Sequence, residues 1–297
     1  MAHPIAPRGT MEWQRCWHFL GLHASCLLVY WVGWSWAALA TAAALYAIRM
    51  FFVTGFYHRY FSHRTFKTSR PFQFAMACAA GTAAQRGPLW WAAHHRHHHR
   101  HSDQEADLHS PRQKGFLWSH LFWFMTREAD EAPARYVRDL AKYPELRWLD
   151  RNDWVPPVGL AALLFTAGTA LEALAPQLGT NGLQILVWGF CVSTVALYHA
   201  TYTINSLAHT LGTRRFSTRD DSRNNWILAL LTLGEGWHNN HHFYSTSTRQ
   251  GFYWWEIDLT FYGLKALELT GLIWSLRPVP AEVLEHGRSS SARRGEP

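Results

Sequence analysis

The chain has 297 residues, 48% of them hydrophobic, with 17 Trp, 19 His and a formal net charge of +7. Charged residues make up only 16%, against about 25% in an ordinary soluble domain, which excludes a disordered, collagen-like or coiled-coil chain. The mean hydropathy of -0.18 would suit a soluble protein, but a mean conceals apolar blocks diluted by histidine and arginine.

The first such block is Cys16–Ile48, 33 residues without Asp, Glu, Lys or Arg; extended to Phe56, it holds Arg49 as the only charge in 41. A transmembrane helix needs about 20 apolar residues, so the block reads as two spans, near 17–33 and 36–56, with a turn at Trp31–Trp36 (WVGWSW). The start (MAHPIAPRGTMEWQR) has no small-residue cleavage site, so the first span is expected to be retained. The second block, Trp154–Thr213, has one charge, Glu172, in 60 residues. It predicts spans near 157–175 and 183–203 around a turn at Pro176–Gly182. A soluble fold of this size would struggle to bury it. Arg8, Arg15, Arg59, Arg64, Lys67, Arg70, Arg214, Arg215, Arg219 and Arg223 flank the spans, and the two turns carry no Lys or Arg. The positive-inside bias then puts both termini and the long polar segments in the cytoplasm. Shorter apolar pieces (Phe72–Ala84, Phe116–Met125, Trp226–Leu233) predict interfacial or buried helices. Residues 1–280 read as one domain and 281–297 as a mobile basic tail. The fold class is all-α: an integral membrane protein with four transmembrane helices in two hairpins and a cytoplasmic helical cap.

The cap is where the histidines gather. They fall as His58-Arg-Tyr-Phe-Ser-His63, His94-His95-Arg96-His97-His98-His99, Asn205-Ser-Leu-Ala-His209 and His238-Asn-Asn-His241-His242. Helix positions i, i+3 and i+4 share a face, so His95, His98 and His99 point together, as do His238, His241 and His242. His58 and His63 lie about 140° apart on a regular helix; the pair either straddles a helix end or serves two metals. His94, His97 and His101 are surplus, solvent-facing or behind the ligands, and His18, His23 and His199 read as interfacial residues. Nine imidazoles exceed what one first-row metal takes and suit two. Cys16, Cys26, Cys78 and Cys191 stand in apolar stretches away from the clusters, and no His-Glu-x-x-His is present, which excludes zinc ribbon, blue copper and zinc protease. Neutral nitrogen ligands at a membrane site with room for oxygen favour iron.

These residues resemble the membrane fatty acyl desaturases of the stearoyl-CoA Δ9 type, in a bacterial-like form. The family's boxes H-x-x-x-x-H, H-x-x-H-H, N-S-x-x-H and H-x-x-H-H correspond to HRYFSH, HRHHH, NSLAH and HNNHH, within HRYFSHRTFK, DSRNNW, GEGWHNNHH and GFYWWEID. The resemblance covers about residues 30–260. It implies two iron ions held by His58, His63, His95, His98, His99, His209, His238, His241 and His242, with Asn205 reaching one through water, and O2 as co-substrate. It implies a cis double bond, at Δ9, in a saturated acyl chain carried as an acyl thioester or acyl lipid. Thr201 and Tyr202, one turn before Asn205, are candidate tunnel-wall residues, and Arg112, Lys114, Arg127, Arg135, Arg138 and Lys142 a candidate region for a CoA phosphate. The sequence has no haem box, dinucleotide motif or nucleic-acid motif. Electrons must therefore come from a separate ferredoxin, rubredoxin or cytochrome b5-type donor and its reductase. The location expected is a bacterial inner membrane. The rival activities are a membrane di-iron alkyl or sterol hydroxylase and, in another class, a non-catalytic metal-binding membrane protein.

Overall fold

The computed structural model describes Met11, residues 13–131 and residues 133–294. Arg8, counted above among the flanking charges, lies outside the described residues. The chain is mostly helical; two two-residue strands, β1 (Lys67–Thr68) and β2 (Ile273–Trp274), pair antiparallel with Lys67 opposite Trp274 and Thr68 opposite Ile273.

The apolar blocks fold close to their expected limits. Helix α1 (Trp13–Ser25) continues through a 3-10 turn and a short helix to Val32. The chain reverses at Gly33–Ser35, and Ser35 starts α2 (Trp36–Phe52) by accepting the Ala38 N–H at 3.1 Å. The same hydroxyl donates to Gln184 at 2.7 Å in the second block. Helix α2 then passes into π-helix at Val53–Ser62. Helix α3 (Arg70–Gly81) is capped by Ser69, and α4 (Pro88–His101) carries the second histidine box. Proline sets the first turn of α4, and Asp150 accepts the N–H groups of Leu89 and Trp90, both at 2.9 Å. Residue 87 must be glycine, because a Cβ there would lie 2.5 Å from the Asp150 Cα.

Helix α5 (Val155–Leu174) ends before a left-handed Gly179, and Asn181 caps the return helix, which runs through Gly182–Leu186, a π segment Val187–Val192 and α6 (Ser193–Ser206). The two backbones approach closely at Gly168, where a Cβ would meet the Asn181 carbonyl at 2.7 Å. Small residues at such crossings are the usual device of membrane helices. Among the described residues three helices are long and apolar enough to cross a membrane: Trp36–Ser62, Val155–Leu174 and Gly182–His209; Cys16–Val32 is a shorter apolar helix. Arg49, the lone charge of the first block, is buried and donates to the Leu45 and Thr82 carbonyls and to the hydroxyls of Ser193 and Thr194. That network accounts for a cation inside an apolar span.

The remaining apolar pieces form α7 (Trp226–Leu231), α8 (His238–Phe243) and α9 (Leu259–Leu269), and Trp118–Met125 forms a π turn followed by a 3-10 turn. Where a mobile tail was expected, Ala281–Arg294 forms helix α10, whose Val283 is buried against Phe216, Phe252 and Tyr253. The basic, serine-rich composition of that segment hides these apolar contacts.

Candidate metal centre

The π-helix decides how the first box works. Bonds from residue i to i+5, such as His63 N–H to the His58 carbonyl at 3.3 Å, bring five residues round nearly one turn. His63 is the residue that ends the helix, as one of the two sequence alternatives had it. The other alternative, that the pair serves two metals, is not what the geometry shows: the His58 and His63 rings lie 4.9 Å apart in one cluster.

Nine histidines converge as two sets. One holds His58, His63, His95, His99 and His241; the other holds His98, His209, His238 and His242. Boxes two and three each divide between the sets. In α4 the i and i+4 residues, His95 and His99, join the first set while His98 joins the second. In α8 the assignment is reversed, His238 and His242 joining the second set and His241 the first. Four contacts measure the fit: His58–His241 at 3.0 Å, His63–His95 at 2.8 Å, His99–His241 at 2.9 Å and His209–His238 at 3.1 Å, each between Nε2 atoms. Metal–imidazole bonds of about 2.1 Å place neighbouring ligand nitrogens roughly 3 Å apart. The sets therefore have the spacing of two coordination shells, and the donors suit a first-row metal.

Carboxylates stand behind the imidazoles. The Nδ1 of His98 bonds to Asp107 at 3.0 Å, that of His209 to Asp103 at 2.9 Å and that of His242 to Asp220 at 2.8 Å. His58 Nδ1 contacts Glu235, which is itself held by buried Arg59 at 3.0 Å, and Arg59 also meets Asp258 at 2.9 Å. Each of these contacts fixes the tautomer that leaves Nε2 free for a metal, and raises its basicity. His242 Nε2 is buried without a hydrogen-bond partner, as a metal-directed nitrogen would be.

Electrostatics keep most of these rings neutral. Burial, then the neighbouring imidazoles, holds His63, His95, His99, His238 and His241 well below the ordinary histidine range. Burial takes His242 down to about 4 against the opposing pull of Asp220. Burial also opposes the charge on His98, but Asp107 outweighs it and raises that ring. For Asp103, Asp107 and Asp220 burial works against ionisation, yet the bonded histidines hold all three well below the usual carboxylate range. Neutral imidazoles and ionised carboxylates are the state a metal requires.

Asn205 lines a slot of about 50 Å³ between the two sets, together with His58, His95, His98, Thr201 and His238. That slot shares Trp91, His95, Thr201 and Asn205 with a cavity of about 780 Å³ that reaches between the spans. Thr201 borders both and accepts a hydrogen bond from Gln85 at 3.1 Å; Tyr202 borders the larger one and packs on Tyr198 and Phe124.

The comparisons with known proteins agree with this arrangement. The fatty acid desaturase family model matches residues 6–273. The chain belongs to the fatty acid desaturase family. An acyl-CoA 5-desaturase of Anemone leveillei is 38% identical over 294 residues, covering 95% of this chain and 86% of the relative. The sn-1 stearoyl-lipid 9-desaturase of Anabaena variabilis is 34% identical over 93% of this chain and 98% of its own length. The sn-2 palmitoyl-lipid 9-desaturase of Nostoc sp. (strain 36) is 34% identical over 95% and 98%. The protein is thus a desaturase and an oxidoreductase, and its histidine clusters are compatible with a metal centre.

Two features of this desaturase were not read from the sequence. Asp103, Asp107, Asp220 and Glu235 were not singled out, although a chain with only 21 acidic residues places two of them directly after the histidine run. His109 was also passed over; it is buried, its ring 4.3 Å from that of His98, and with Asp107 and His98 it forms a third close group. Among the surplus histidines, His94 is not solvent-facing. It is buried against Trp90 and Trp123, and burial lowers it to about 4.

Proposed function

We propose that the protein inserts a cis double bond, at Δ9, into a saturated acyl chain, using O2 and two iron ions. The observation that carries this is the position of the two imidazole sets, with Nε2 atoms within each set at the 3.0–3.1 Å spacing of ligands on one metal, beside an apolar cavity. Iron would supply the O2 chemistry that removes hydrogens from unactivated methylenes, which no side chain can do. One O2, two electrons and two protons, with two hydrogens from adjacent carbons, give the alkene and two waters.

The chain's own residues then have defined tasks. His58, His63, His95, His99 and His241 would hold one ion and His98, His209, His238 and His242 the other, with Asn205 reaching one of them through water. Asp103, Asp107, Asp220 and Glu235 orient four of the rings. Thr201 and Tyr202 would border the acyl chain, fixing which methylene lies at the slot. Trp91 and Tyr202 also line the cavity beside that position.

We assign residues 1–280 to a single membrane domain, with Cys16–Val32 as a fourth span and 281–297 as an appended basic segment. The positive-inside bias supports termini and histidine boxes on the cytoplasmic face of a bacterial inner membrane. Electrons would arrive from a separate ferredoxin, rubredoxin or cytochrome b5-type protein. Expression in a host supplied with saturated fatty acids, followed by gas chromatography of total lipids, tests the reading. A cis-alkene at Δ9 is expected; a hydroxylated acid without alkene would overturn it in favour of a hydroxylase.

A further inference from the structure

The larger cavity is not closed. Its walls include α1 on one side and α5 on the other, and six wall residues are exposed: Trp17 (61%), His18 and Gly21 on α1, Trp154 (60%) and Val158 (54%) at α5, and Arg86. Trp17 and Trp154 stand at the starts of the two apolar helices, the level at which tryptophan prefers the membrane interface. Gly21 and Val158 lie about one turn further along the same apolar helices, and a side chain built at Gly21 meets nothing within 4 Å. The opening is therefore a vertical gap between two helices, running from the interface into the apolar layer.

The rim carries a definite charge. Among the described residues, Arg86 is the single Arg or Lys lining the cavity, and it faces two carboxylates, Asp130 at 2.5 Å and Asp153 at 3.7 Å. A coenzyme A thioester would bring several phosphate charges against a rim whose one guanidinium is already paired and whose balance is negative. An uncharged or zwitterionic headgroup meets no such penalty. At about 780 Å³ the cavity lies within the roughly 300–1,000 Å³ of ordinary ligand sites, and its lining includes His95 and Asn205.

From the gap, its depth and its rim, we propose that the acyl chain enters sideways from the bilayer while still attached to a neutral or zwitterionic membrane glycerolipid. The gap between α1 and α5 is the portal. This rests on the desaturase reading given above and specifies its substrate class. The headgroup stays at Trp17 and Trp154, and only the acyl chain passes to the histidines. The basic segment around Arg112–Lys142, expected from sequence as a phosphate site, is then not used for substrate.

The test is a pulse of labelled stearate in a host making the full chain, with the thioester and glycerolipid pools separated over time. The labelled double bond is expected first in glycerolipid. Its appearance first in the thioester pool would overturn the portal proposal and leave the desaturase reading intact; no double bond in either pool would overturn both. Gly21→Trp and Val158→Trp, on opposite sides of the gap, should each lower the yield at least about tenfold with metal content as in the unaltered protein. Full yield in both variants, with both present in the membrane, would also overturn it.

Discussion

Asp103→Asn isolates the charge behind one histidine. Asp103 has a left-handed backbone (φ 57°), which asparagine adopts as readily as aspartate. Its Oδ2 accepts from His209 Nδ1 at 2.9 Å and from the Asp221 N–H at 2.8 Å, and its Oδ1 accepts from Ser110 Oγ at 2.6 Å. The amide oxygen can keep the first two bonds, and the Ser110 hydroxyl can turn to accept from the new NH2. The fold is retained and the negative charge is lost. Removing such support costs about 10–100-fold in metal affinity, or about 1.4–2.7 kcal/mol. The full burial of both partners puts the expected loss in the upper part of that range. Anaerobic titration of the purified, metal-stripped protein with Fe(II), or with Co(II) as a spectroscopic stand-in, against a competing chelator would resolve two binding events. Among the proposed metal ligands, Asp103 hydrogen-bonds only His209, so one event should weaken and the other should not. Glu235→Gln, behind His58, should weaken the opposite event. If Asp103→Asn left both events unchanged, or weakened both equally, the division into two sets would be refuted.

The hairpins were legible because a bilayer demands long charge-free stretches, and few other environments do. Even their turns could be placed, since Gly33 and Ser35, and Gly179 and Asn181, are turn and cap residues in otherwise apolar runs. The histidine spacing pointed to two metal sites but not to which ring faces which. That division depends on α4 and α8 approaching with opposite registers, a tertiary fact that no single-helix pattern contains. The first box was misleading for a local reason: its five-residue spacing is out of phase on an α-helix and in phase on a π-helix, and the apolar sequence VTGFY before it has no feature that announces the change. The carboxylates were illegible because they come from three separate loops, Asp103 and Asp107 sharing one, and meet the imidazoles only in the folded chain. Arg49 looked like an isolated cost inside a span; besides the Leu45 carbonyl one turn back, its partners Thr82, Ser193 and Thr194 lie 33 to 145 positions away.

Other consequences are open to direct measurement. His98→Ala and His241→Ala, which lie in different sets, should each abolish activity while membrane insertion measured by fractionation is unchanged. Arg59→Met would leave Glu235 and Asp258 buried without their cation, a loss of about 3–5 kcal/mol, read as a lower Tm of the purified protein in detergent. The metal-free protein should lose stability as pH falls from about 6.5: unfolded histidines take up protons there, whereas burial holds His63, His95, His99, His238 and His241 below that range and His242 at about 4. The unfolded state binds more protons in that window, so each such ring contributes a slope of up to about 1.4 kcal/mol per pH unit, and a flat Tm between pH 7 and 4.5 would contradict the burial of neutral rings. The last test concerns α10. Val283 packs on Phe216, whose N–H and carbonyl both bond to the Asn239 side chain, at 2.7 and 3.1 Å, within the helix of the third box. Tyr253 adds a bond from its hydroxyl to the Leu284 carbonyl at 2.8 Å. Val283→Asp forfeits the roughly 1.5–3 kcal/mol of a buried valine and puts a charge against that cluster. A lower Tm and weaker binding of the ion held by His238 and His242 should therefore appear together. A free tail would show neither, so an unchanged Tm would detach α10 from the site.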